Sequence, residues 1–471
     1  MNGKQRALSL WDLIFYGIVL IQPIAPVPLY GVAQQLSNGH FATIILIAMF
    51  AMMITAVSYG RMAALYPSAG SAYTYVGRGL NVHLGFLVGW AMFMDYLLQP
   101  LINTVWISGA LRAPNVHYVP KLPFEVWALL LAAIFTILNL RGIKTSALAN
   151  RILLAAMIVV VTVFVVLAVR FLVANGGGFA ALFSTKPFYD PRTFNWGRIW
   201  GATSFAALTY IGFDGITTLA EDAKNPKRNV LLATVLVCAF TGVFGGFLAY
   251  LGSLVWPNWH AFTNLETAFM DVASRVGGPW LFNAMGVILI VAAFGSALTG
   301  GLGAAKLLFG MGRDNVLPRR VFGHITSDHT PTYNLLIVGV LTLAGAILLN
   351  YYGNAYEHAG EILNFGAFLA FMGVNLATFW QFTFHPQPGY RRNALIDTVL
   401  PLVGFIFCAA IWWNLNPLAK IVGGVWLAIG FCYLALATRG FRTAPVALDF
   451  SESLGEPRAT DTKENASLEK I

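Results

Sequence analysis

The chain is 471 residues long, 58% hydrophobic and only 10% charged, with a formal net charge of +9. A soluble domain carries roughly 25% charged residues, so a chain this poor in charge cannot cover a water-facing surface, and a soluble globular protein is excluded. The positive charge lies in loops, without the interleaved aromatic residues on which a nucleic-acid strand would stack, and so argues against a nucleic-acid partner.

Lys4 and Arg6 precede an apolar stretch that is too long for the core of a cleaved leader and has no small-residue cleavage pattern. The first span is therefore expected to stay in the membrane. A spanning helix needs about 20 mostly apolar residues. Such runs predict twelve spans, at 9–36, 42–66, 82–109, 124–140, 149–172, 198–220, 229–256, 281–308, 333–351, 360–382, 396–415 and 419–438. With the N-terminus in the cytoplasm, 21 of the 29 Lys and Arg fall on cytoplasmic segments and 8 on outer ones. That bias predicts cytoplasmic N- and C-termini. The polar segment 439–471 is expected to be a cytoplasmic tail, disordered from about Pro445 onward, and no second domain is expected. Cys238, Cys408 and Cys432 all sit in apolar runs and read as packed small hydrophobes rather than metal ligands or a disulfide.

Two spans are interrupted. The first carries Gln22-Pro-Ile24-Ala25-Pro-Val-Pro28, in which Pro23, Pro26 and Pro28 lack a backbone N–H and clash with the preceding turn. The sixth carries Thr209-Tyr210-Ile-Gly212-Phe213-Asp214-Gly215. Broken backbone at membrane depth is tolerated where it lines a cavity. Breaks five spans apart fit two inverted five-helix repeats with a site between them, which puts Gln22, Ile24, Ala25, Thr209, Tyr210, Phe213 and Asp214 among the candidate substrate-binding residues.

Two acids lie deep in the membrane. Asp95 is about thirteen residues into the third span, or ~20 Å deep at 1.5 Å per residue; Asp214 sits in the sixth-span break. Ionisable groups at such depth usually face a cavity or a partner. With no mid-depth basic partner in view, they suit a cationic substrate or a proton relay. The blander reading is a carboxyl that caps a broken helix end or is held protonated by hydrogen bonds. Tyr96, Tyr210, Phe213 and Phe205 are candidate aromatic walls for an ammonium, although packing aromatics are commoner. Ser296 and Thr299 are weak candidates for Na⁺ coordination, against the commoner bond to their own helix. Glu221 and Lys306, with Asp214, are candidates for gating or coupling. His358 and Glu361 read as loop residues at the outer end of span ten.

Phosphate-cradling loops, zinc-spaced cysteine pairs and His-Glu-x-x-His helices are absent from the sequence. An enzyme or an ATP-driven pump is disfavoured, and no cofactor is expected. Transport is expected to run on an ion gradient or by exchange.

Several stretches resemble a known family. Tyr59-Gly-Arg-Met-Ala-Ala-Leu-Tyr-Pro-Ser-Ala-Gly-Ser-Ala-Tyr-Thr-Tyr75 is similar to the segment after the second span of amino acid–polyamine–organocation permeases. Gly212-Phe-Asp214 with Ala220-Glu-Asp-Ala-Lys-Asn-Pro-Lys-Arg228 resembles their sixth-span signature. Lys306 to Pro318 resembles the loop after span eight, with Lys306 where the family usually has Arg; Leu363-Asn-Phe-Gly-Ala367 and Asn375 resemble span ten. Within the family, bacterial putrescine importers are most similar, through Asp95-Tyr-Leu, Pro100-Leu-Ile-Asn103 and Met311-Gly-Arg-Asp-Asn-Val316. The resemblance covers about 9–438. It implies an all-helical fold like that of the leucine transporter, with two inverted repeats at about 9–172 and 198–382, plus spans 11 and 12 at 396–438. It further implies a bacterial inner-membrane importer of a small amine, coupled to H⁺, working by alternating access.

One departure bears on substrate. Amino acid permeases of the family usually break span one at a Gly-Ser-Gly-like turn whose free N–H groups hold the substrate carboxylate. Here prolines occupy that turn. A carboxylate is poorly served, whereas a diamine has none and wants acids at its ends. An amino acid–proton symporter or exchanger of the same fold remains the alternative, and a passive channel is a third reading.

Overall fold

The computed structural model describes residues 8–67, 70–142, 147–176, 178–313, 317–325, 330–388, 390–443 and 445, the side chains of 147–150 and 313 excepted. Lys4, Arg6, Ser68, Ala69, Lys144, Asp314, Asn315, Val316 and the tail beyond 445, on which parts of the sequence reading fall, lie outside those residues. Among the described residues the chain is helical, with no strand and one isolated bridge between Leu8 and Ala223. The helices are α1 (Leu10–Ile21), α2 (Pro26–Leu36), α3 (Phe41–Leu65), α4 (Ser71–Gly79), α5 (Val82–Arg112), α6 (Phe124–Leu140), α7 (Ala147–Asn175) and α8 (Trp196–Ala206). There follow α9 (Pro226–Val255), α10 (Ala268–Gly277), α11 (Pro279–Arg313), α12 (Arg319–Phe322), α13 (Thr332–Tyr352), α14 (Ala355–Phe384), α15 (Leu400–Trp413) and α16 (Pro417–Ala437).

Among the described residues nine helical stretches are long and apolar enough to cross a bilayer by themselves, and the α1–α2 pair makes a tenth. α6 has 17 residues, at the short end of the spanning range. The predicted sixth span is a full helix only to Ala206 and continues as tight 3₁₀ turns over Ala207–Tyr210 and Phe213–Leu219. Apolar side chains face outward as well as inward, the mark of a lipid-facing surface. On α7, Ile152, Val159 and Val166 are 59–61% exposed at seven-residue spacing, so one helix face is wholly greasy.

Both predicted breaks are present. α1 and α2 meet at 56° across residues 22–25. Pro23 cannot donate, and Gln22 takes a left-handed φ of 67° that a continuing helix cannot accommodate. In the sixth span Gly212 turns the chain at φ 108°, a conformation that suits glycine. The two interrupted spans lie together: α1 runs beside the Phe213–Leu219 turn and α2 beside α8. α3 packs along α9, and α5 along α11. At one end Leu8 pairs with the chain after the sixth span through Leu8 N–H to Asp222 O (3.1 Å) and Lys224 N–H to Leu8 O (2.8 Å).

Two further ties hold the periphery. Trp90 and Trp426 stack at 4.9 Å, and each indole N–H donates to the other's backbone carbonyl at 2.9 Å, fixing α5 to α16. At the end of α3 the Arg61 guanidinium pairs with the fully buried Asp397, donates to Tyr390 Oη (2.7 Å) and Ile396 O (2.8 Å), and lies 3.8 Å over the Phe382 ring. Glu361 departs from its reading as a loop residue. α14 begins six residues earlier, at Ala355, and Glu361 is buried within it.

Candidate functional site

The two breaks, the middle of α5 and the middle of α11 enclose a cavity of about 500 Å³. Gln22, Ile24 and Ala25 line it from the first break, Asp95 and Tyr96 from α5, and Asp214 from the second break. Six of the nine candidate substrate-binding residues thus border one space. Ser296 and Thr299 border it too, from α11.

α5 supplies most of the polar wall because its register is helical through the cavity. Asp95, Gln99 and Asn103 follow at i, i+4, i+8, with Trp106 a further turn on, and all four line the space. The Asp95 carboxylate keeps one oxygen, Oδ1, enclosed and without a hydrogen-bond partner among the described residues. Asn103 Nδ2 donates to Gln99 O (2.8 Å) and to Ser296 Oγ (3.2 Å), joining α5 to α11 across the wall. Gln22 Nε2 reaches Ala292 O at 3.5 Å. Thr299 donates to Gly295 O one turn back in its own helix (2.9 Å). Asp214 borders the same space as Asp95 from a different element, the sixth-span break.

The donors of the first break decide what it can bind. A helix N-terminus normally offers free N–H groups to an anion. At the start of α2, Pro26 and Pro28 have none. The N–H of Ala25 donates to Gln22 O (3.1 Å) and that of Val27 to Ile24 O (2.9 Å). Every N–H from 25 to 28 is therefore absent or already used.

Three candidates do not line the cavity. Tyr210 is fully buried and donates from Oη to Ile45 O of α3 at 2.7 Å. Phe213 packs against Tyr59 (5.3 Å) and Phe371 (5.2 Å). Thr209 is buried with an unpartnered hydroxyl among the described residues. Phe205 meets Tyr356 edge-on at 5.7 Å, so it backs a cavity-lining ring rather than facing the space. Glu221 is exposed, and Lys306 is half-buried on α11 outside the lining. Tyr16, Gln99, Asn103, Trp106, Thr218 and Tyr356 line the cavity without having been singled out. Stepping by four from Asp95 would have found Gln99 and Asn103. No group of His, Cys, Asp and Glu suited to a metal occurs among the described residues.

A cavity between two broken helices in an apolar bundle, with carboxylates at its wall, defines a multi-pass membrane transporter. The chain belongs to the amino acid permease family, whose profile matches residues 8–443. It is 31% identical over 443 residues to the low-affinity putrescine importer PlaP of Escherichia coli K12, covering 93% of this chain and 95% of that one. It is 26% identical to the branched-chain amino acid permease BcaP of Lactococcus lactis (92% and 95% covered) and 23% identical to a methylthioribose transporter of Bacillus subtilis (92% and 94%).

Proposed function

We propose that this permease imports a small amine of the putrescine type by proton-coupled alternating access. The observation that carries the reading is the start of α2, where each N–H from 25 to 28 is missing or engaged. A substrate carboxylate finds no free backbone donor at residues 25–28, which leaves the N–H of Ile24 as the one the first break can offer, while Asp95 and Asp214 offer two carboxylates to ammonium groups in the same cavity. Tyr16, Tyr96 and Trp106 add aromatic faces, a surface that attracts an ammonium. The similarity to a putrescine importer points the same way.

The architecture under this reading is twelve spans in two inverted five-helix repeats, at about 9–172 and 198–382, followed by spans 11 and 12. The pairing of α3 with α9 and of α5 with α11, each the second or third span of its repeat, supports it. Spans 1, 2, 6 and 7 would rock against the rest in the bacterial inner membrane, with both termini cytoplasmic. The bridge from Leu8 to Ala223 joins the ends of the two broken spans and suits a common moving unit.

Uptake of radiolabelled putrescine into proteoliposomes, with and without an inward proton gradient and competed by a panel of amino acids, tests the reading. Gradient-driven putrescine uptake that neutral amino acids leave unchanged is expected. Uptake of an amino acid in place of putrescine would overturn the substrate, and uptake indifferent to the gradient would overturn the coupling.

A further inference from the structure

Glu361 is a deeply buried acid that the cavity does not use and that, unlike Asp397, has no cation against it among the described residues. It is 3% exposed, on α14, and makes two hydrogen bonds to two other elements. Its Oε1 lies 2.8 Å from Ser204 Oγ, three residues before α8 gives way to the sixth-span break. Its Oε2 accepts from the backbone N–H of Asn416, the N-cap of α16, at 2.5 Å. Asn364, one turn along α14, donates from Nδ2 to Ser204 O at 2.5 Å, so α14 grips Ser204 at both its hydroxyl and its carbonyl.

The oxygens around Ser204 locate a proton. Ser204 Oγ is also 2.6 Å from Gly201 O. A carbonyl oxygen can only accept, and a serine hydroxyl has one proton to give. If Glu361 is ionised, that proton must serve two acceptors, and one short O···O contact is left unbridged. If Glu361 carries a proton on Oε1, it donates to Ser204 Oγ, which donates to Gly201 O, while Oε2 still accepts from Asn416. Every group is then satisfied. The charged environment agrees. Glu357 and His358 share α14 with Glu361; His358 Nδ1 is engaged with Asn416 Nδ2 (2.9 Å). On α16 Lys420 donates to Trp413 O at 2.5 Å. α8 presents only Arg198, which is exposed, and α15 has no charged residue. Among the described residues no cation contacts the carboxyl.

We infer that Glu361 holds a proton in this conformation and is a coupling residue: its protonated carboxyl latches the end of α8, next to the sixth-span break, to α14 and to the start of α16. Release of that proton to water leaves a carboxylate and a single hydroxyl proton among three oxygens. That hydroxyl proton can bridge only one of the two contacts, to Glu361 Oε1 or to Gly201 O, so deprotonation breaks either the tie between α14 and α8 or the hydroxyl's bond within α8, and the junction beside the sixth-span break rearranges. The inference rests on the proton-coupled reading above, and gives one of its protons an address away from the substrate.

Glu361→Gln in the full-length protein tests it, because the amide keeps a donor toward Ser204 and an acceptor toward Asn416. Infrared difference spectra of wild type against E361Q at neutral pH should show the carbonyl stretch of a protonated carboxylic acid in the wild type and its loss in the variant. Uptake by E361Q should lose its response to an inward proton gradient. An unchanged acid band, or uptake driven by the gradient as in the wild type, would overturn the assignment. If E361Q does not fold, Ser204→Ala serves: the acid band should shift as its hydrogen-bond partner is lost, and a band that stays put overturns the assignment as well. Failure of proton coupling itself is visible in the wild type alone, whereas failure of the Glu361 assignment appears only in the comparison with the variants.

Discussion

Asp95 presents an enclosed, unpartnered carboxylate oxygen to a space built of amides and aromatic rings. Truncating one member of a buried charged pair costs about 2–5 kcal/mol. Asp95→Asn should therefore weaken putrescine binding by at least about thirtyfold, read by calorimetry on the purified protein, with its melting temperature unchanged. Binding within error of the wild type would remove Asp95 from the site. Tyr210 makes the contrasting case. Its hydroxyl bonds a backbone carbonyl of α3 and does not face the cavity. Tyr210→Phe should cost about 1 kcal/mol of stability and leave the binding affinity alone. Asp271 belongs to the short helix α10, outside the spans. Burial raises its carboxyl from 3.8 to about 6, opposed in part by its hydrogen bond from Asn115 Nδ2 (2.6 Å). The folded state then holds the proton more tightly than the unfolded chain. The stabilisation is full below pH about 4 and is lost as pH rises toward about 6. Asp271→Asn should flatten the melting temperature over that interval; a pH profile identical to the wild type would contradict the assignment.

At the scale of elements, the two breaks supply much of the cavity wall. Gly212 sits at φ 108°, and a Cβ there would make ordinary contacts with Leu20 at 3.5 Å and Ile21 at 3.9 Å. The obstacle to Gly212→Ala is therefore backbone strain rather than space. It should cost about 1–3 kcal/mol, seen as a lower melting temperature. The first break makes a sharper prediction. Pro28 lines the cavity at the start of α2. Pro28→Ala adds one N–H to a helix N-terminus that otherwise has none to spare, and should let amine-bearing carboxylates compete with putrescine; no gain in competition would mean that side chains decide the selectivity. Much of this was legible in the sequence. Prolines and glycines break helices by local rules, so 22–25 and the region of Gly212 could be read directly. The orientation of side chains around an irregular turn could not. Thr209, Tyr210 and Phe213 precede or flank Gly212; Tyr210 bonds α3, Phe213 packs against α3 and α14, and Thr209 is buried, while Asp214 is the one of the four candidates that lines the cavity. Glu361 was misplaced for a different reason: polar residues at 354–358 mimic a loop, whereas buried hydrogen bonds to Ser204 and Asn416 sustain the helix.

Over the whole molecule, several buried polar ties join the regions that would rock to the regions that would stay, and among the described residues the Arg61–Asp397 pair is one that carries charge. It links α3 to the turn that opens α15, with Tyr390 and Phe382 completing the cage around the guanidinium. Removing one partner of a buried ion pair costs about 3–5 kcal/mol. Asp397→Asn should lower the melting temperature markedly, and Arg61→Ala should do no worse when added to it, since the interaction is already lost. Full additivity of the two would mean that they do not act as a pair.

The two broken spans are not equivalent hinges. The bend of 56° between α1 and α2 is written in prolines, which have no N–H with which to close the missing turn. Under the proposed cycle that elbow would keep its bend. The sixth-span break is made of glycine and 3₁₀ turns, whose residues keep their donors and can rewind. The bundle thus has one rigid joint and one compliant one. Under the proposed alternating access, shape change would be concentrated in 207–219, and the wall formed by 22–28 would travel as a fixed template, the same on either side of the membrane.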